Sequence, residues 1–93
     1  MSQIELRHLR TLVALRDSGS LVEAAERVHL TQSALSHQLK ELETRIGCAL
    51  FVRKTRPVRF TSAGNRLLLL ADQSLPLVHS AELDLQRLVG GES

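Results

Sequence analysis

Residues 20–47 restrict the fold of this chain more than any other stretch. They hold two short helical patterns with room for only a tight turn between them. Ser20 can cap the first, and Glu23 three residues on completes a capping box. Leu21, Ala24, Ala25 and Val28 then recur at i, i+3, i+4 and i+7, one apolar helix face. His29 and Leu30 interrupt that pattern. Thr31 offers a second cap, because its hydroxyl can accept a bond from an unpaired helix N–H. Leu30 before that cap and Leu35 after it are spaced for a hydrophobic staple, which sets the angle of entry. Leu35, Leu39, Leu42 and Ile46 carry the second apolar face, and Gly47 supplies a left-handed stop. Helix, short turn and helix make a helix-turn-helix, whose second helix can enter the major groove of DNA.

At about 100° per residue, Gln32, Ser33, Ser36, His37 and Lys40 lie opposite the leucine stripe. These side chains can hydrogen-bond to base edges or to phosphates. The competing reading is a helical hairpin that only packs and keeps a solvated polar face.

Charge favours the first reading. Residues 1–66 hold eleven Lys or Arg against six Asp or Glu, while residues 67–93 hold one Arg against four acids. The basic two-thirds contains the helix-turn-helix, an asymmetry that suits a polyanionic partner. Part of it lies just past Gly47. Leu50-Phe51-Val52-Arg53 and Pro57-Val58-Arg59-Phe60 are short and β-prone, with Lys54-Thr55-Arg56 between them. They predict a small hairpin, or wing, with Phe51 and Phe60 gripping the core. Arg53, Lys54, Arg56 and Arg59 give it four cations with no acid between residues 44 and 71. Such a wing can lie along a phosphate backbone or put an arginine into the minor groove. A solvated basic loop is the alternative.

Helices are expected on both sides. Residues 4–17 place Leu6, Leu9 and Val13 on one face with Leu12 beside them, for packing against the hairpin, and Ser18-Gly19 ends that segment. Thr61 should cap a long helix from residue 62 to about 88. Its apolar positions, Leu67, Leu68, Leu70, Ala71, Leu75, Leu77, Val78, Ala81, Leu85 and Leu88, cover about half the circumference, more than one contact surface needs. The surplus calls for a partner helix, which the same helix of a second chain can supply. Pro76 lacks an N–H and crowds the carbonyl four residues back, so a kink or break is expected there, and Gly90-Gly91 should end the segment.

Several chemistries are excluded. Ser36 and His37 are neighbours and point about 100° apart on a helix, so they form no nucleophile–base pair. The four histidines lack paired ligand spacing and are read as surface or boundary residues, and no glycine-rich phosphate loop is present. Neither an enzyme, a metal site nor a cofactor is expected. The single cysteine, Cys48, forbids an internal disulfide and suits a reducing compartment; it is expected to be a small buried residue, with an oxidation-sensing thiol as the alternative. Two phenylalanines are the only aromatics, too few for base-stacking platforms on single strands. No signal peptide or membrane span is visible.

Several ordered motifs carry a resemblance. They are Leu6-Arg7-His8-Leu9, Gly19-Ser20-Leu21 with Ala24-Ala25, and Leu30-Thr31-Gln32-Ser33-Ala34-Leu35-Ser36. Leu42-Glu43, Gly47, Leu50-Phe51-Val52-Arg53 and Phe60-Thr61-Ser62-Ala63-Gly64 follow. In that order, over nearly the whole chain, they resemble the N-terminal DNA-binding domain of LysR-type transcriptional regulators. The resemblance implies a mainly α fold. A winged helix-turn-helix (1–61) with a small β-hairpin wing would be followed by a long linker helix (62–93) that dimerises antiparallel. Base and phosphate contacts would fall on Thr31, Gln32, Ser33, Ser36, His37 and Lys40, and wing contacts on Arg53, Lys54 and Arg56. The stripe toward the partner helix would be Leu67, Leu70, Ser74, Leu77, Ala81 and Leu88. Implied partners are double-stranded DNA, as an interrupted palindromic operator, and a second copy of the chain, with higher oligomers in a full-length protein. A small-molecule effector would act only through a C-terminal domain outside this chain. The implied location is the bacterial cytoplasm, at the nucleoid. Family members usually carry proline where Ser33 stands and arginine or lysine where His37 stands, so the base preference is expected to depart from the family's average. A protein–protein adaptor that uses the same helices only to dimerise is the runner-up, and the basic wing speaks against it.

Overall fold

The computed structural model describes residues 3–91. Four helices and one two-stranded hairpin run in the order α1 (Leu6–Ser18), α2 (Leu21–Arg27), α3 (Gln32–Ile46), β1 (Phe51–Val52), β2 (Arg59–Phe60) and α4 (Ser62–Gly91). The strands pair antiparallel with Phe51 opposite Phe60 and Val52 opposite Arg59. Helix α4 runs out of the domain and stretches the molecule to 53 × 28 × 19 Å.

The leucine stripe of α3 is the centre of the core. Leu35, Leu39 and Leu42 are completely buried, together with Leu12 and Leu15 of α1, Ala24 of α2, Leu50 and Ala71 of α4. Burying one leucine side chain stabilises by about 1.5–3 kcal/mol, so this set is the main source of cohesion. Helix α1 lies between the α2–α3 pair and α4 and buries two sides. Its most covered residues are His8, Leu9, Thr11, Leu12, Ala14 and Leu15, whereas Leu6 is exposed and Val13 only half-buried. The expected Leu6–Leu9–Val13 face was therefore too narrow. Thr11 Oγ1 donates to Gln38 Oε1 at 2.7 Å and joins α1 to α3. Arg16 Nη1 donates to both carboxylate oxygens of Asp72 at 2.9 and 3.0 Å and joins α1 to α4.

Capping explains where each helix starts. Ser20 Oγ accepts the Glu23 N–H at 3.1 Å. The capping box is only half made, because the Ser20 N–H goes to Ser18 Oγ at 3.4 Å instead of to the Glu23 carboxylate. Thr31 Oγ1 accepts the Ala34 N–H, and Thr61 Oγ1 accepts the Gly64 N–H, both at 3.1 Å. Gly19 (φ 80°) and Gly47 (φ 81°) are left-handed at the ends of α1 and α3.

The turn between α2 and α3 has a form that periodicity did not disclose. The His29 N–H donates to the Glu26 carbonyl at 3.3 Å, and the Leu30 N–H to the Ala25 carbonyl at 2.9 Å. This is the paired bonding of a Schellman motif, with a histidine at φ 59° where glycine is usual. Left-handed backbone costs an ordinary residue about 1–2 kcal/mol and a β-branched one the most. His29→Val should lower stability by about 1–2 kcal/mol, while His29→Asn should stay within about 0.5 kcal/mol of the parent. Urea midpoints check this, and equal midpoints for the two variants would show that the turn does not require that conformation.

Four other expectations are corrected. Helix α4 continues through Pro76 without a break. Proline removes one bond of the helical ladder, and the remaining turns on both sides keep the segment helical. Cys48 is exposed, because it follows the left-handed Gly47 and leaves the buried side of α3. His8 is completely buried and is no surface or boundary residue. The Glu5 N–H donates to its Nδ1 at 2.9 Å, closing the start of α1, while Nε2 has no hydrogen-bond partner among the described residues. Burial first, and then the Arg7 charge, push the His8 pKa below that of an ordinary histidine. Finally, Leu67 belongs to the chain's own core at 9% exposure and is not part of a free stripe.

Candidate nucleic-acid interface

Helix α3 has a dry face and a wet face. With Leu35, Leu39 and Leu42 buried, Gln32, Ser33, His37 and Lys40 are exposed and Ser36 is half-buried. Ser33, His37 and Lys40 share the outer side of the helix, with Ser36 at its edge, while Thr31 and Gln32 reach the surface at the N-terminal end. That end carries the positive pole of the helix dipole, which favours approach to phosphate. Thr31 uses its oxygen as the cap acceptor, and its hydroxyl hydrogen is left to donate outward. His37 is 81% exposed, with Nε2 3.7 Å from Glu41 Oε2 on the next turn.

The hairpin stands beside α3. Six residues, 53–58, link its strands, and the loop is folded rather than open. Thr55 Oγ1 donates to the Val52 carbonyl at 3.3 Å and accepts the Arg59 N–H at 3.2 Å. The Val58 N–H donates to the Gly19 carbonyl at 3.2 Å, tying the wing to the turn before α2. Phe51 is in the core and Phe60 packs half-buried against it, as the aromatic positions predicted.

The wing cations are not equivalent. Lys54, Arg56 and Arg59 are exposed, and among the described residues none of them pairs with an acid. Arg53 differs. Its Nη2 donates to Glu43 Oε1 at 2.7 Å, and its guanidinium lies 4.5 Å from the centre of the Phe51 ring. Glu43 is the residue the sequence reading missed. It is 9% exposed, and its other oxygen accepts the Leu50 N–H at 2.7 Å. Residues 44–71 thus hold no acid along the chain, yet Glu43 meets the wing in space. A signal was available, since Glu43 follows Leu39 by four and sits next to Leu42, on the flank of the buried stripe.

The linker stripe divides in two. Leu67 is buried and Leu70 and Ser74 are half-buried against the domain, with Ser74 Oγ bonded to the Leu70 carbonyl at 2.7 Å. Leu77 at 72% and Leu88 at 63% exposure, with Ala81 between them, have nothing of their own chain to cover them. Leu83, Leu85 and Val89 add to this exposed apolar end. No group of three metal-ligating side chains exists among the described residues, and none of the helices is long and apolar enough to cross a membrane.

Comparison with known proteins bears on this geometry. The family model described as bacterial regulatory helix-turn-helix protein, lysR family, matches residues 6–65. The HTH-type transcriptional regulator MetR of Haemophilus influenzae is 54% identical over 90 residues, 97% of this chain and 29% of that protein. The regulator of the same name from Salmonella typhimurium is 59% identical over 78 residues, 84% of this chain and 25% of that protein. The chain therefore spans less than a third of the length of these curated relatives. Among solved structures, the BenM DNA-binding domain in complex with catB site 1 DNA superposes with a TM-score of 0.83 at 33% identity, covering 97% of both chains.

Proposed function

Because the chain belongs to the LysR family of bacterial regulatory helix-turn-helix proteins, we propose that it binds double-stranded DNA sequence-specifically as the DNA-binding part of a transcription regulator. The observation that carries this reading is the outer face of α3. Ser33, His37 and Lys40 stand exposed on the side opposite the buried leucines and Gln32 is exposed on the first turn, beside a hairpin with three cations that pair with no acid among the described residues. Residues 1–61 form the reading unit and residues 62–93 the linker. A regulator acting on chromosomal DNA works in the bacterial cytoplasm, at the nucleoid. The effector-binding function belongs to a further domain of the whole regulator.

In this reading Gln32 and Ser36 bond to base edges, and Thr31, Ser33 and Lys40 share bases and backbone. His37 suits a purine N7 or a phosphate, since neutral imidazole has one donor and imidazolium two. Lys54 and Arg56 lie along the phosphates. The adaptor alternative would leave the α3 face and these cations without work. Selection of bound duplexes from a random pool tests the reading. Enrichment of an interrupted two-fold sequence is expected, and no retention of any duplex above background at low salt would sink it. Lys54→Ala should weaken binding to selected and scrambled duplexes alike. It should also flatten the slope of log K against log salt by about 0.9, one phosphate contact; an unchanged slope would make Lys54 a solvated side chain.

The exposed apolar end of α4 supports a homodimer through this helix, with Leu77, Ala81 and Leu88 toward the partner and Leu70 and Ser74 at its margin. The two reading units then match two half-sites of one operator. Leu77→Glu desolvates a charge in that contact and should give monomers. Sedimentation velocity over a range of concentrations checks it, and a variant that stays dimeric would move the contact off Leu77.

A further inference from the structure

The geometry around Glu43 points to a device that sets the wing against the reading helix. We propose that Glu43 and Arg53 are positioning residues for DNA binding, that Arg53 makes no phosphate contact, and that the backbone contacts of the wing fall to Lys54, Arg56 and Arg59. The proposal rests on the DNA-binding reading of the same surface.

Three observations carry it. Glu43 is on the last turns of α3, the helix whose other end holds Gln32 and Ser33. Both of its carboxylate oxygens are spent on the start of the wing, one on the Leu50 N–H and one on Arg53 Nη2, each at 2.7 Å. The carboxylate is covered while the Arg53 side chain is 39% exposed, and charge-assisted bonds of this length are directional. Arg53 is in turn pressed over the Phe51 ring at 4.5 Å, and Phe51 is 2% exposed on β1. A guanidinium held between a buried carboxylate and a core ring is fixed at the base of the hairpin. Lys54 and Arg56 lie further along it and Arg59 stands on β2 opposite Val52, all three exposed and without acidic partners among the described residues. The Leu50 carbonyl is anchored as well, by the Thr61 N–H at 3.0 Å. The wing is thereby clamped at its base from α3 on one side and from the start of α4 on the other.

The test uses a sign that simple electrostatics gets backwards. Removing an acid from a DNA-facing basic surface should tighten binding if charge alone counts. The brace requires the opposite. Glu43→Gln is measured on a duplex selected from a random pool by the unmodified protein and on a scrambled duplex of equal length. Measurements are made well below the lower melting temperature, with helix content matching that of the parent. Weakening on the selected duplex by about tenfold is expected, the scale of one lost charged hydrogen bond, and Arg53→Gln should do the same without changing the salt slope. The double variant should be no weaker than either single one, because both break one unit. Glu43→Gln binding as tightly as the parent or tighter, whether or not its melting temperature falls, overturns the proposal, since a role confined to folding lowers the melting temperature alone. If Glu43→Gln does not fold, Arg53→Gln decides. It keeps the Leu50 bond, and a slope flattened by about 0.9, as for Lys54→Ala, would make Arg53 a phosphate contact after all. Failure of the unmodified protein to bind any duplex would refute the underlying reading instead, so the two failures are told apart.

Discussion

Gly64→Ala should unfold at a temperature at least about 10 °C below that of the parent, although alanine is the better helix former by about 1 kcal/mol. The reason is a close approach of backbone to backbone. A Cβ at residue 64 would sit 2.0 Å from the Leu50 carbonyl oxygen, 3.0 Å from its carbon and 3.2 Å from Phe60 Cδ1. The first of these distances cannot be absorbed by a side-chain rotation, because its partner is backbone. That backbone is held from several directions. The Leu50 N–H is bonded to Glu43 at 2.7 Å and its carbonyl accepts from the Thr61 N–H at 3.0 Å. Thr61 Oγ1 donates to the neighbouring Ala49 carbonyl at 2.7 Å. Relief requires α4 to lift off β1, which strains the cap and the packing of Leu67 and Leu68. Overpacking among side chains costs about 1–3 kcal/mol, and a backbone clash belongs at or above the upper end. A domain this small has a stability of about 5–15 kcal/mol, and each kilocalorie moves the midpoint by about 4–8 °C. Differential scanning calorimetry provides the measurement. Gly91→Ala is the control, since a Cβ there meets nothing within 4 Å. A Gly64→Ala midpoint at or above the parent's would mean that propensity outweighs the clash and that α4 has room to move.

Gln32→Ala should cost about 1–3 kcal/mol on the selected duplex, roughly 5- to 150-fold in Kd, and little on a scrambled one. Gln32 is the first residue of α3 and is exposed, on the turn that leads into the groove in the proposed complex. Its amide presents a donor and an acceptor side by side, the pattern that matches adenine N6 and N7. Losing a bidentate pair leaves the base edge unpaired in a water-poor interface, so the penalty falls on one sequence and not on DNA in general. The salt slope should not change, because no phosphate charge is neutralised by an amide. Competition titrations against both duplexes separate these outcomes. Equal weakening on the two would make Gln32 a residue that positions the helix on the backbone, and base reading would then rest on Ser36 and His37.

The most legible parts of this molecule were those whose cause lies within a few residues. Ser20, Thr31 and Thr61 were recognisable as caps because a hydroxyl three residues before a free N–H satisfies it locally. The stripe of Leu35, Leu39 and Leu42 fixes which way α3 faces, and with it the exposed set Gln32, Ser33, His37 and Lys40. The hairpin was readable for the same reason, since two β-prone pairs flank a polar loop. Pro76 shows the limit of such rules. The local penalty predicted an interruption, and a helix of 30 residues with Pro76 near its middle outlasts the loss of one bond.

Short-range chemistry therefore determined the helices, their caps, the inward and outward faces of α3 and the basic character of the wing. Long-range contact decided the rest. Nothing near Arg53 in the chain predicts that a carboxylate ten residues back will meet it, because helix α3 must first end at Gly47 and turn the strand across its own last turns. His8 lies in a helix with exposed arginines before and after it, and only the packing of α1 under two neighbours buries it. Leu67 and Leu77 are equally apolar in sequence, yet one fills the core and the other is left open, because the domain ends part-way along α4. Periodicity states that a residue is on an apolar face; which of two surfaces covers that face depends on where the other elements stop, and that is a property of the assembled fold.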